Sequence, residues 1–297
     1  MTSPVRIGVV GIGAMGLPIA RNLQRRGHLV RVRDVDPAAV AAAAALGLQA
    51  CDTAAVLAEE SDVIVLVVVD AAQIDDVLFG PQGVVAAPPR AGDTRLVVLL
   101  CSTIAAEDTE RFRDRLLPHG IDLLDAPISG GPARAGDGTL SMMLAGDPAL
   151  RTRHETLLGD MASRIFYIGP RVGDAARTKL VNNLLAGINL VAAAEAMALG
   201  GRLGLDRRAL FDVIAASSGA SWIGSDRMAR ALEADWVPRA RAAILTKDVG
   251  LAVGMAGAAG ISTPLGAEAL KVFEATLAAG FADLDDAAVI RAIWPAF

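Results

Sequence analysis

The run Val5-Arg6-Ile7-Gly8-Val9-Val10 passes directly into Gly11-Ile12-Gly13-Ala14-Met15-Gly16 and then into Leu17-Pro18-Ile19-Ala20-Arg21-Asn22-Leu23. A β-branched stretch, a Gly-x-Gly-x-x-Gly turn and an amphipathic segment, in that order, describe a strand, a tight loop and a helix. In that setting each glycine has its own reason. Gly11 permits the turn, Gly13 lets the backbone approach a pyrophosphate at the helix N-terminus, and Gly16 lets the helix pack closely on the strand. Ile12, Ala14 and Met15 complete the loop, which is assigned to a dinucleotide. Asp34 ends the next apolar run about 20 residues further on, where an acid can accept from ribose hydroxyls and repel a 2′-phosphate. This favours NAD, while Arg31 and Arg33 beside it leave room for NADP.

Outward from this unit, Leu29–Val32, Val63–Val69, Leu96–Leu100 and Ile121–Leu124 are apolar runs separated by helix-length segments, the pattern of a parallel α/β sheet. Val63–Val69 is apolar without alternation, as a central strand covered on both faces would be. After Ile165–Ile168 the strands stop. From Gly173 the pattern is helical, beginning with a run that reaches about Leu203, with breaks at Gly200-Gly201, Ser217-Ser218-Gly219, Val237-Pro238, Gly260 and Thr263-Pro264. The expected architecture is a Rossmann-type doubly wound domain over residues 1–169. An all-α domain over residues 170–297, entered by a long interdomain helix, completes it.

The 297 residues are 53% hydrophobic and 21% charged, enough for large cores and too apolar for disorder. The net charge of −5 is spread along the chain without a basic block, so no nucleic-acid footprint is present and a small molecule is the expected partner. Cys51 and Cys101 lie in apolar settings without metal spacing and read as buried free thiols, with no metal site expected. The N-terminus lacks the features of a secretory signal, so a cytoplasmic protein is expected. Leu184–Gly200 is the most membrane-like stretch, but Asn189, Glu195 and many alanines favour a buried helix over a bilayer span. The only tyrosine, Tyr167, is followed four residues later by Arg171, which excludes a Tyr-x-x-x-Lys acid.

Asp125-Ala126-Pro127-Ile128-Ser129-Gly130-Gly131 follows a strand and offers a hydroxyl and close backbone N–H groups, a loop that can hold a carboxylate or simply turn the chain. Lysine occurs only at 179, 247 and 271, against arginine at every other basic position. Lys179 lies early in the long helix with Asn183 one turn later on the same face, so both can reach one ligand. Arginine could not do acid–base work there, since it stays protonated. His28, His119 and His154 read as isolated residues of turns or helix surfaces without chemistry.

Together the glycine loop with Met15, Cys101-Ser102-Thr103-Ile104, the Asp125–Gly131 loop, Lys179…Asn183 and Lys247-Asp248 resemble, in order, the β-hydroxyacid dehydrogenase family, nearly end to end. The resemblance implies that Lys179 is the acid/base, that Ser129, Gly130 and Gly131 hold the substrate carboxylate and that Asn183 orients the substrate. It further implies cofactor contacts from Val68, Val69, Gln73, Thr103 and Lys247. The implied reaction is reversible hydride transfer between NAD(P) and a short hydroxycarboxylate, such as L-threonate or 3-hydroxyisobutyrate. The alanine- and glycine-rich helical half, with Trp222, Trp236 and Trp294 available for burial, suggests a homodimer or homotetramer, and no membrane or nucleic-acid partner is expected. Ala175 departs from the family, which usually carries glycine there. An imine reductase-like enzyme and a non-catalytic dinucleotide-binding protein are the alternatives, and both generally lack the lysine.

Overall fold

A computed structural model describes residues 4–88 and 95–297. The chain divides into two compact units, Met1–Lys179 and Leu180–Phe297. The division falls inside the long helix, ten residues beyond the expected boundary at 169/170.

The first unit alternates strands and helices: β1 Arg6–Val10, α1 Gly16–Arg25, β2 Leu29–Arg33, α2 Pro37–Ala45, β3 Gln49–Ala50, α3 Ala54–Glu59, β4 Val63–Leu66, α4 Ala71–Phe79, β5 Leu96–Leu100, α5 Ala106–Leu116 and β6 Ile121–Asp125. There follow β7 Ile128–Ser129, α6 Gly131–Asp137, β8 Leu140–Ala145, α7 Pro148–Arg153, α8 Glu155–Met161 and β9 Ala162–Gly169. The strands lie in the order β3-β2-β1-β4-β5-β6-β8-β7, with β9 also paired to β8. The six from β3 to β6 are parallel, in the doubly wound order, and β8 joins β6 antiparallel.

Successive residues of the central strands bury into two different cores. Ile7 and Val9, Val63 and Val65, and Val97 and Leu99 face one, which α1 closes with Ile19, Ala20 and Leu23. Val10, Ile64 and Leu66, and Val98 and Leu100 face the other, closed by Leu57, Ile74, Leu78 and Phe112. This is why Val63–Val69 reads without alternation, and β4 is central, between β1 and β5. The strand nevertheless stops at Leu66: Val67 N still donates to Val10 O of β1 at 2.9 Å, and beyond that bond β1 turns away at Gly11. Strands β3, β7 and β8 are additions to the sequence reading, two of them only two residues long.

His28 is not an isolated turn residue. It is 7% exposed, its Nε2 is 3.0 Å from Asp160 Oδ2, and its Nδ1 accepts weakly from Val5 N at 3.4 Å. His154 stands between α7 and α8 with its Nε2 buried, and burial pushes its imidazole below the ordinary histidine range.

Helix α9, Asp174–Arg202, runs through the division between the units. By length and composition it could cross a membrane, and 39% of its most apolar stretch is buried inside the protein. It also runs through Gly200-Gly201, where a break was expected. A Cβ at Gly200 would lie 2.1 Å from Leu210 Cδ2, and one at Gly201 would lie 2.3 Å from the Trp294 ring. These glycines make room for neighbours without ending the helix.

The second unit continues with α10 Arg207–Ala215, α11 Trp222–Leu232, α12 Ala242–Ala258, α13 Pro264–Thr276 and α14 Val289–Ile293, around Leu190, Ala194, Met197, Val249, Phe273 and Ile290. A buried charge cluster fixes the entry to α12. Asp285 accepts from the N–H groups of Arg239 and Ala240 and pairs with Arg230 of α11 at 2.8 Å, while Arg227 pairs with Asp286.

Candidate active site

The loop Gly11–Gly16 lies at the carboxyl end of β1, between β2 on one side and β4 on the other, the switch point at which open parallel sheets bind ligands. Gly11 has a φ of 84°, and a Cβ there would lie 2.7 Å from the Val67 carbonyl oxygen, so both the turn and the close approach require glycine. A Cβ on Gly16 would lie 1.9 Å from the Gly11 carbonyl oxygen: α1 is seated directly on the loop. At Gly13 a Cβ would meet nothing within 4 Å. The open space is where a ligand can come against the backbone, and α1 has no acidic residue in its first turn to neutralise its positive end.

Asp34, just past β2, accepts from Ile12 N at 2.8 Å through Oδ2 and from Asp36 N at 2.9 Å through Oδ1. The carboxylate braces the glycine loop, and each oxygen has further acceptor capacity for a ribose hydroxyl. Arg31 is held away by Glu60 at 2.5 Å and Gln49 at 2.8 Å. Beyond β4, Gln73 Oε1 accepts from Val69 N at 2.9 Å while Asp70 caps α4 through Gln73 N, so Gln73 stiffens the Val68-Val69 loop. Thr103 lies just past β5. These parts share one edge of the sheet, and an NAD(P) pyrophosphate and ribose fit the glycine cradle and the acid beside it.

Asp125 ends β6, and the Ser129–Gly131 loop follows it. Ser129 is opposite Ser141 of β8, and Gly130 and Gly131 have φ values of 134° and 75°. Asp125 is 1% exposed, and its Oδ2 accepts from Gly173 N at 2.9 Å and Ala176 N at 3.0 Å, at the start of α9. The acid read in sequence as the opening of a loop motif is therefore the cap of the helix that carries Lys179. Its partners are 48 and 51 residues away, so no local spacing announces them. Burial pushes the Asp125 carboxyl up to about 6, against the lowering pull of the Ala176, Gly173 and Ala175 N–H groups. Burial, with Asp125 adding to it, pushes the Cys101 thiol up to about 12, which keeps it unreactive.

Lys179 and Asn183 are each 7% exposed, one turn apart on α9. In the second unit, Asp248 of α12 accepts from Asn183 Nδ2 at 2.7 Å and from Lys247 Nζ at 2.7 Å. Asn183 and Lys247, assigned separately by resemblance, thus share a carboxylate that the sequence reading left without a role.

Residues 6–169 match the family model described as the NAD binding domain of 6-phosphogluconate dehydrogenase. Residues 173–293 match that described as NAD-binding of NADP-dependent 3-hydroxyisobutyrate dehydrogenase. The chain is 37% identical over 285 residues to L-threonate dehydrogenase of Cupriavidus necator, covering 96% of this chain and 95% of that one. It is 35% identical over 280 residues to 3-hydroxyisobutyrate dehydrogenase of Pseudomonas aeruginosa, covering 90% of each. Among solved structures, 3-hydroxyisobutyrate dehydrogenase from Salmonella typhimurium superposes with a TM-score of 0.87 at 35% identity, covering 96% of this chain and 98% of that one.

Two outcomes follow from the geometry. Gly13→Ala enters open space, so its melting temperature stays at the wild-type value while NADH binding, followed by fluorescence, weakens at least about tenfold, the loss of roughly one good hydrogen bond. Gly16→Ala must displace backbone and is destabilised by about 1–3 kcal/mol. Equal effects of the two on stability would contradict the separate roles. At Asp125 the folded chain holds its proton to a higher pH than the unfolded chain, whose carboxyl titrates near 3.8 like an ordinary aspartate. Stability present below that value is therefore lost as pH rises towards about 6, an effect on the order of 3 kcal/mol. Asp125→Asn cannot ionise, so its stability relative to wild type should climb between about pH 4 and 6.5 in thermal melts. A flat difference across that window would refute the assignment.

Proposed function

The chain belongs to the β-hydroxyacid dehydrogenase family and is an NAD(P)-dependent oxidoreductase, and from that premise we propose that it oxidises L-threonate or a 3-hydroxyisobutyrate-like acid with Lys179 as acid/base. The observation that carries this reading is the burial of Lys179 on a helix whose first turn is tied by Asp125 to the strand end from which the Ser129–Gly131 loop begins. The Ser129 hydroxyl and the Gly130 and Gly131 N–H groups are suited to a carboxylate. Asn183 orients the substrate. NAD(P), when bound, supplies the hydride acceptor. Lys179 takes up the hydroxyl proton in its neutral form as the carbinol C–H bond breaks with its electron pair and the C=O bond forms; reduction returns the proton and the hydride to the same atoms.

The higher identity to the L-threonate enzyme makes L-threonate the first substrate to try, and Asp34 supports NAD over NADP. The two buried free thiols support a reducing, cytoplasmic setting. A homodimer or homotetramer is supported by the apolar side chains of Val181, Leu185 and Leu199 along α9, which are 58%, 59% and 63% exposed.

Reduced-cofactor formation is measured at mildly alkaline pH with NAD or NADP against L-threonate, 3-hydroxyisobutyrate, D-glycerate and L-serine. One acid should turn over with NAD, faster as pH rises and the base is freed of its proton. Lys179→Ala should lose about 10²–10⁴ in kcat while still binding NADH; wild-type turnover in that variant removes the lysine from the mechanism. In sedimentation equilibrium, a monomer at micromolar concentration would exclude the proposed assembly.

A further inference from the structure

We propose that Asp248 is a positioning residue that couples substrate orientation to cofactor binding, by holding Asn183 and Lys247 on its two oxygens; this rests on the roles given to those residues above. Asp248 is 4% exposed, and its Oδ2 and Oδ1 accept from Asn183 Nδ2 and Lys247 Nζ, each at 2.7 Å. A carboxylate can only accept, so it decides which way the Asn183 amide faces: Nδ2 turns towards Asp248 and Oδ1 turns away. One side of Oδ1 receives Asn182 Nδ2 at 3.2 Å. The remaining lone pair makes Asn183 an acceptor for a substrate hydroxyl, a group every hydroxyacid carries and its keto product lacks at the reacting carbon. The other oxygen accepts from the Lys247 ammonium at 2.7 Å and so fixes the place of that charge, on a side chain that is 24% exposed.

The approach of α12 to α9 is built for this contact. One turn after Asn183, a Cβ on Gly187 would lie 2.5 Å from Val249 Cγ2, the residue that follows Asp248. Only glycine lets the two helices come close enough for a short aspartate to reach the amide. A lost or misdirected hydrogen bond of this kind is worth about tenfold in affinity.

The test compares Asp248→Asn, Asn183→Ala and Lys247→Ala, alone and in pairs, by hydroxyacid KM and kcat and by NADH titration. Asp248→Asn keeps the shape, loses the charge and no longer dictates the amide orientation. It should raise KM about tenfold and weaken NADH several-fold, with kcat changed far less. Its effect on KM should vanish in the Asn183→Ala background, and its effect on NADH should vanish in the Lys247→Ala background. Wild-type constants in Asp248→Asn, or effects that simply add in both backgrounds, overturn the coupling. If Asn183→Ala and Lys247→Ala are themselves silent, the underlying functional reading has failed and the coupling falls with it, an outcome distinct from effects in both and none in Asp248→Asn. Should Asp248→Asn not fold, Gly187→Ala retains all three side chains and widens the gap. It should raise KM in the same way, and a wild-type KM there overturns the proposal.

Discussion

The buried carboxylate of Asp125 against the first turn of α9 is the constraint from which the arrangement follows. It stands at the last residue of a parallel strand, where the chain leaves the sheet at its ligand-binding edge, and it meets N–H groups that no helical carbonyl can satisfy. Burial of that charge is unfavourable, and the N–H groups offset it only in part, since the carboxyl still titrates near 6. What the arrangement secures is position. The loop with Ser129 grows from the same strand end, so one interaction relates the Ser129–Gly131 loop to the helix bearing Lys179. A neutral cap could satisfy the same N–H groups, but a carboxylate does so with the stronger, charge-assisted bonds that suit a helix start.

Much of the fold was legible because its signals are local. The glycine loop sits between a strand and a helix within sixteen residues, and the unbroken apolar run of β4 reports two covered faces, which the alternating partition of its side chains between two cores makes literal. Structure that depends on distant partners was not legible. Strand β8 has buried and half-buried positions like any edge-region strand, and only its pairing with β6, β7 and β9 gives it a place. The glycine pair at 200–201 carries the same sequence signature as a helix end, yet it serves Leu210 and Trp294, neither of which the local window contains. His28 looked solitary for the same reason: Asp160 is 132 residues away.

The site divides along the same line. Lys179 and Asn183 are one helical turn apart, a relation that spacing alone supplies, and the rarity of lysine drew attention to the first. Gly11, Gly13 and Gly16 were assigned three different roles, and what a Cβ would meet at each position is correspondingly different. Asp248 entered only as the neighbour of Lys247, because a lysine beside an aspartate reads in isolation as a surface pair of little worth. Its meaning comes from Asn183, 65 residues earlier in the chain. Arg227, by contrast, is committed to Asp226 and Asp286.

Aspartate recurs wherever a direction has to be chosen. Asp34 fixes the glycine loop through Ile12 N, Asp125 fixes the start of α9, Asp285 fixes the entry to α12 through Arg239 and Ala240, and Asp248 fixes the amide of Asn183. Each is an acceptor with no hydrogen of its own when ionised, so whatever faces it must present N–H. Each is also short, with few rotamers to freeze, so little entropy is lost in holding it. A glutamate would add a torsion and about a bond length of slack; an asparagine could rotate and offer its own N–H, leaving the partner's orientation undecided. Sheet edge, helix starts and functional side chains are thereby set by one device used at four places, and the precision of the site follows from groups that cannot point the wrong way.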